Sequence, residues 1–213
     1  MKLAHVKIVR VIGLVAVSVV AYTRLVRPWH LRWGSTPEEA KSPMPGDDIV
    51  QDPAMSATHT VTIQAPEDRV WPWLAQMGQG RGGFYSYDWL ENLFGMNIHN
   101  KADIQPEWQY PHVGDIMPFW KGTGIPIIQI EPPDLMVLGG SFAPGRPAGG
   151  SWAFVLDTPD ALTTRLIVRT RVTGFSPRWL SIVLYRLLLE PAHFIMERGM
   201  LLGIKSRAEV VGK

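Results

Sequence analysis

The chain has 213 residues, of which 46% are hydrophobic and 19% charged, with nine Trp, seven Phe and no Cys. That length fits one domain with an appendage, the aromatic content excludes an intrinsically disordered chain, and the missing Cys excludes disulfides, thiol nucleophiles, Cys-based zinc sites and iron–sulfur clusters. The net charge of +2 conceals six cations and no acid in residues 1–32; the remainder, with 15 basic against 19 acidic side chains, is mildly acidic, which argues against nucleic acid as a partner.

Between Arg10 and Arg24 runs VIGLVAVSVVAYT, an uncharged stretch flanked by Lys7, Arg10, Arg24 and Arg27. A bilayer core takes about 20 apolar residues in helix, a length reached here if the flanking cations snorkel. A secretory signal peptide cut near Ala16-Val17-Ser18 would have an apolar segment of only about five residues, too short for that role. The expectation is therefore an uncleaved, single-pass membrane anchor over residues 1–32, with a helix packed on its own domain as the alternative. Trp29 and Trp33 suit an interfacial position. Residues 33–56, rich in Pro, Ser and acid without hydrophobic period, read as a tether or a strap over the domain surface.

The folded domain is expected over residues 57–213. His59 to Ala65 alternates, with Val61, Ile63 and Ala65 on one face, as in a half-buried strand. Pro66, Glu67 and Asp68 open a short helix carrying Val70, Trp71, Trp73, Leu74 and Met77, stopped by Gly78. Tyr87 to Leu93 forms a second short helix. Strand signals follow at Ile125–Ile130, Leu135–Leu138, Trp152–Leu156 and Thr163–Val172, with Gly114–Trp120 as an edge or bulged strand because of Pro118. From Arg178 to about Ala208 the period is helical, with a kink or two abutting helices expected at Pro191.

This order, and the stretches RPWHLRWGST, QMGQGRGGFYSYDWLENLFG, GSWAFVL and EPAHFIMERGMLLGIKSRAE, resemble a membrane-anchored branch of the SRPBCC superfamily. The resemblance implies an α+β, START-like helix-grip fold, in which an antiparallel sheet wraps a long C-terminal helix around an apolar cavity. Members of that superfamily include lipid carriers, ubiquinone-binding proteins and polyketide cyclases, so the fold leaves function open.

Several residue groups carry candidate chemistry. Gly78 to Gly83 satisfies G-x-G-x-x-G but follows a helix instead of opening one, so a dinucleotide site is rejected. The same glycines permit a tight turn presenting Arg81, Tyr85 and Tyr87 at a cavity mouth; the alternative is a structural loop whose polar groups bond backbone amides. Glu190, His193 and Glu197 share one helix face. Facing inward, His193 and Glu197 would exchange protons with a ligand; together with a third ligand they would hold a metal, although no third ligand is recognisable by spacing; facing outward, they would form a polar surface paired with Arg186. Trp108, Trp152 and Phe154, with the two tyrosines, are candidate pocket walls, an aromatic being otherwise core. Arg165, Arg169 and Arg171 alternate onto the outer sheet face, solvated or against anionic lipid.

Two functions follow. The first is a membrane-tethered module binding a small hydrophobic ligand through Arg81, Tyr85, Tyr87, Trp108, Trp152 and Phe154. The second is a cyclase or dehydratase-like enzyme with His193 as general base and Glu197 orienting it. Neither reading requires a cofactor or a metal.

Overall fold

The computed structural model describes residues 10, 13–14, 16–120, 122–140 and 149–210. Six antiparallel strands form one sheet: β1 (Met55–Ile63), β2 (Ile116–Trp120), β3 (Thr123–Glu131), β4 (Leu135–Gly140), β5 (Gly150–Asp160) and β6 (Thr163–Val172). Strands β2 to β6 follow one another as a meander, and β1 closes on the last of them in the order β1-β6-β5-β4-β3-β2. Their inner faces follow the period-2 pattern, with His59, Val61, Ile63, Phe154, Leu156, Leu166 and Val168 all buried.

The helix α1 covers residues 16–30, and α2 (Pro37–Lys41) sits in the segment that follows. Between β1 and β2 lie α3 (Glu67–Ala75) and α4 (Asp88–Leu93). The C-terminal helix α5 (Arg178–Ala208) lies across the concave face of the sheet, where Met200, Leu201 and Ile204 enter the core. This is the α+β helix-grip architecture.

Helix α5 does not break at Pro191. It widens into a π turn at Tyr185–Leu189, with the Glu190 amide donating to the Tyr185 carbonyl five residues back. A proline ring crowds the carbonyl four residues earlier, and one inserted residue moves that carbonyl away. The same device occurs in α1, where the π turn Tyr22–Val26 precedes Pro28. Gly203 also has a packing reason, since a Cβ there would sit 1.9 Å from the Tyr85 carbonyl oxygen. Its absence lets the loop before α4 lie directly on α5.

Residues 34–51 cover the outer sheet face. Arg165 makes a bidentate pair with Glu39, at 2.7 and 2.8 Å, and Arg169 reaches Asp47 at 2.7 Å and the carbonyls of Ser42 and Glu39. Arg171 donates to the Val50 carbonyl. Beneath them, Met44 and Ile49 pack on Leu135, Val137 and Ala153. The three arginines therefore do point outward but are neither solvated nor free for lipid, because the covering segment brings its own acids and carbonyls to them. The free edge of β1 is likewise closed, by Thr58 and Thr60 amides donating to the carbonyls of Leu31 and Trp33.

The anchor expected over residues 1–32 falls partly on residues 1–9, 11–12 and 15, outside the described set. Among the described residues, the helix long and apolar enough to cross a membrane is the C-terminal α5, not the N-terminal one.

Candidate functional site

Between α5 and the sheet lies a cavity of about 310 Å³. Its walls are apolar, with Met55, Phe84, Phe119, Ile125, Leu138, Trp152, Met196 and Met200, and its polar groups include Glu91, Thr170, His193 and Glu197. The lining residues Met55, Gly139, Gly150 and Val172 place it at the end of the sheet where β1 and β5 begin and β4 and β6 finish.

Glu197, on the inward face of α5, is the centre of the polar groups. Its Oε1 accepts from Trp152 Nε1 at 2.8 Å and from Thr170 Oγ1 at 2.9 Å. Its Oε2 accepts from His59 Nδ1. His59 Nε2 donates in turn to the His30 carbonyl at 2.7 Å. A carbonyl only accepts, so both ring nitrogens of His59 carry protons when Glu197 is ionised, and the pair is a buried imidazolium and carboxylate. Burial opposes the charge on Glu197, but His193 and His59 hold its carboxyl well below the usual range. For His59, burial works against the imidazolium while the Glu197 charge and hydrogen bond, with the His30 carbonyl, carry its pKa above the ordinary 6.5. An isolated charge in such a place would neutralise; these two persist because each completes the other's hydrogen bonding.

His193, one turn before Glu197, has Nε2 at 3.3 Å from Glu197 Oε2 without the alignment of a hydrogen bond. His193 lines the cavity, with this nitrogen buried beside the carboxylate. His59, His193 and Glu197 present donor atoms within 4.8 Å of one another, a set that can hold a divalent ion if the proton shared by His59 and Glu197 leaves. Burial and the neighbouring Asp88 push Glu91, another lining residue, up to about 7, so it takes up a proton close to neutral pH.

The structure distributes the other sequence candidates. Trp152 lines the cavity, whereas Phe154 is fully buried behind it, ring centroids 4.8 Å apart. Arg81 turns away from the cavity, donating to the carbonyls of Ala75 and Trp108 and lying over the Trp108 ring. Tyr85 packs edge-on against Trp73 and under Arg207, and burial pushes its phenol up to about 12. Tyr87 lies outside the cavity, against Gly199 of α5. Arg81, Tyr85, Tyr87 and Trp108 therefore do not line the cavity, and the Gly78–Gly83 loop is a closed turn: Gly78 and Gly83 exchange backbone hydrogen bonds, and the amides of Gln79, Arg81 and Gly82 go to Pro118, Gly78 and Gln76. Five of the six amides of that turn are thus engaged, which leaves no array of amides to cradle a phosphate. Glu190 likewise lies off the cavity, buried and bound in bidentate fashion to Arg27, at 2.6 and 2.8 Å, in place of the expected Arg186.

His59 and Thr170 were not singled out from the sequence. The signal for both was alternation: each occupies an inward position of its strand, and a polar residue there needs a buried partner.

No family model and no curated protein matches the sequence. Among solved structures, the chain is similar to a hypothetical protein from Helicobacter pylori, at 12% identity and a TM-score of 0.46 over 81% of this chain and 94% of that one. It is also similar to a protein from Mesorhizobium loti, at 13% identity and a TM-score of 0.45 over 75% and 100% of the two chains. A third is a Polyketide_cyc-like protein from Corynebacterium glutamicum, at 15% identity and a TM-score of 0.38 over 78% and 94%.

Proposed function

We propose that the chain is a membrane-tethered binding protein of the SRPBCC type that holds one apolar or amphipathic small molecule in the cavity between α5 and the sheet. The observation that supports this reading is the distribution of polarity: a cavity of about 310 Å³ with apolar walls and one anchored polar cluster. That size lies at the lower end for small-molecule pockets, which range from about 300 to 1,000 Å³. Methionine and aromatic walls accept an acyl, isoprenoid or polycyclic body, and the cavity-lining His193 would meet a carbonyl or hydroxyl at its polar end. N-terminal tethering through α1 would hold this cavity at a bilayer.

Native mass spectrometry of the full chain, released from membranes and extracted for lipids and metabolites, tests the reading. The full chain is needed because residues 34–51 cover the outer sheet face. One stoichiometric apolar molecule, lost in Met196→Trp, is the expected result. An unliganded mass that persists after incubation with a lipid extract would overturn it.

A cyclase or dehydratase-like reading has one supporting observation, the unpartnered His193 nitrogen beside a fixed carboxylate. Glu197 already accepts three hydrogen bonds and would orient His193 instead of taking a proton. On this reading His193→Ala abolishes turnover while ligand binding stays intact.

A further inference from the structure

Helices α1 and α5 run parallel and in register. Tyr22 donates from its hydroxyl to the Arg186 carbonyl, Arg27 pairs with Glu190, Trp29 and His30 pack on Phe194, and Arg198 lies over Trp33. Each contact joins residues about 164 apart in sequence, so Pro28 stands beside Pro191 and the two π turns lie side by side.

Below that junction, toward the N-termini of both helices, the pair is apolar and, among the described residues, exposed. From Arg178 to Leu189 only Ser181 is buried, bonded to the Phe175 amide, while Trp179, Val183, Leu187 and Leu188 are 46–67% exposed. On α1, Val17, Val20 and Leu25 are 58–73% exposed. Exposed apolar surface over two adjacent helices is far beyond the scattered leucines of an ordinary surface. Its occupant is indicated by charge and length. Arg24 and Arg186 border it with no acid on either helix segment, while Arg27 is paired with Glu190 and Arg178 with Asp52. Twelve helical residues span about 18 Å, close to the roughly 15 Å of hydrocarbon in one leaflet. Cations around an apolar face of that depth match a leaflet with anionic headgroups.

We propose that the Arg178–Leu189 half of α5 inserts beside α1 into one leaflet of the bilayer, as a second membrane element. The inference rests on the tethered-binding reading above and gives it a geometry. The chain enters α5 directly from the end of β6, and the cavity is lined by the same end of the sheet, at Met55, Gly150 and Val172. Insertion would thus seat the cavity against the membrane surface.

The chain has no Cys, so single cysteines can be labelled cleanly. The full chain carrying Val183→Cys, Leu187→Cys, Val17→Cys or Leu162→Cys, each coupled to a polarity-sensitive dye, is reconstituted into phosphatidylcholine and phosphatidylglycerol vesicles with and without a doxyl-lipid quencher. Leu162 lies in the β5–β6 turn at the far end of the sheet and serves as the aqueous control. The expected result is blue-shifted emission and lipid quenching at residues 183 and 187, with neither at 162. If 183 and 187 stay aqueous while 17 is quenched, the inference fails and the tether stands. If 17 stays aqueous as well, the tether fails with it. If 183 and 187 are shielded from both water and quencher while the chain cross-links to itself, the face pairs two copies and the bilayer assignment is overturned.

Discussion

The more apolar half of α5 is the less buried one: nine of the twelve residues 178–189 are hydrophobic, against nine of the nineteen residues 190–208. Residues 190–208 bury Glu190, Glu197, Met200, Leu201 and Ile204 against α1 and the sheet, whereas residues 178–189 bury Ser181 alone. Hydrophobicity therefore does not decide where this helix packs. The difference lies in what the neighbouring chain offers. The C-terminal half meets strands whose inward residues interdigitate with it and a histidine that completes its carboxylate. Among the described residues, the N-terminal half meets the Thr173–Pro177 segment, Asp52 through Arg178, and a parallel apolar helix.

The contrast breaks most completely at Glu197. Replacing it with Gln leaves His59 buried without its counter-charge, and loss of one partner of a buried pair costs about 3–5 kcal/mol, read as a lower denaturant midpoint in Glu197→Gln. Arg27→Ala acts at the junction of the halves. It strands the buried Glu190 carboxylate and should cost about 2–4 kcal/mol, with α1 becoming protease-sensitive before the sheet does.

A pH series sharpens the comparison on the buried side. Glu91 has its pKa raised from 4.5 to about 7, so the unfolded chain ionises first and the folded state loses stability as pH rises through that interval. Glu91→Gln should match the parent below pH 4.5 and exceed it by about 1–3 kcal/mol above pH 7. The His59–Glu197 pair has the opposite acid limb. The depressed carboxyl stabilises the fold above about pH 4.5 and loses that contribution on acidification, while the raised imidazole contributes fully below 6.5 and less at higher pH. Unfolding of the parent followed from pH 3 to 9 should thus show greatest stability between those values, a maximum flattened in Glu197→Gln.

The smallest effect belongs to the exposed half. Leu187→Ser, at a site 48% exposed, should change the aqueous unfolding free energy by no more than about 0.5 kcal/mol. A loss comparable with that of Arg27→Ala would mean that this half is packed in solution, and the contrast between the halves would disappear.

Much of the architecture was legible because it follows local rules. Alternation located the strands, proline marked β2 as the edge of the sheet, and the change to helical period located α5. The site was legible only in fragments. His193 and Glu197 stood out because one helix turn separates them, and Trp152 because it shares a strand face with Phe154. Arg81 and Tyr85 stand out as polar groups in and beside a short glycine-rich loop, yet Arg81 is held by the carbonyls of Ala75 and Trp108 and the Tyr85 ring packs between Trp73 and Arg207.

The sequence by itself determined where the chain is extended, where it is helical, and which positions of each element face inward, since these depend on period, φ preferences and residues a few places apart. It also placed His59 inward, though without naming its partner. Tertiary structure alone decided that His59 meets Glu197, 138 residues away, and that Arg27 meets Glu190, 163 residues away. A buried charge is stabilised by whichever opposite charge the packing brings within hydrogen-bond distance, and that distance is set by the register of α5 on β1 and of α1 on α5. No local pattern encodes it.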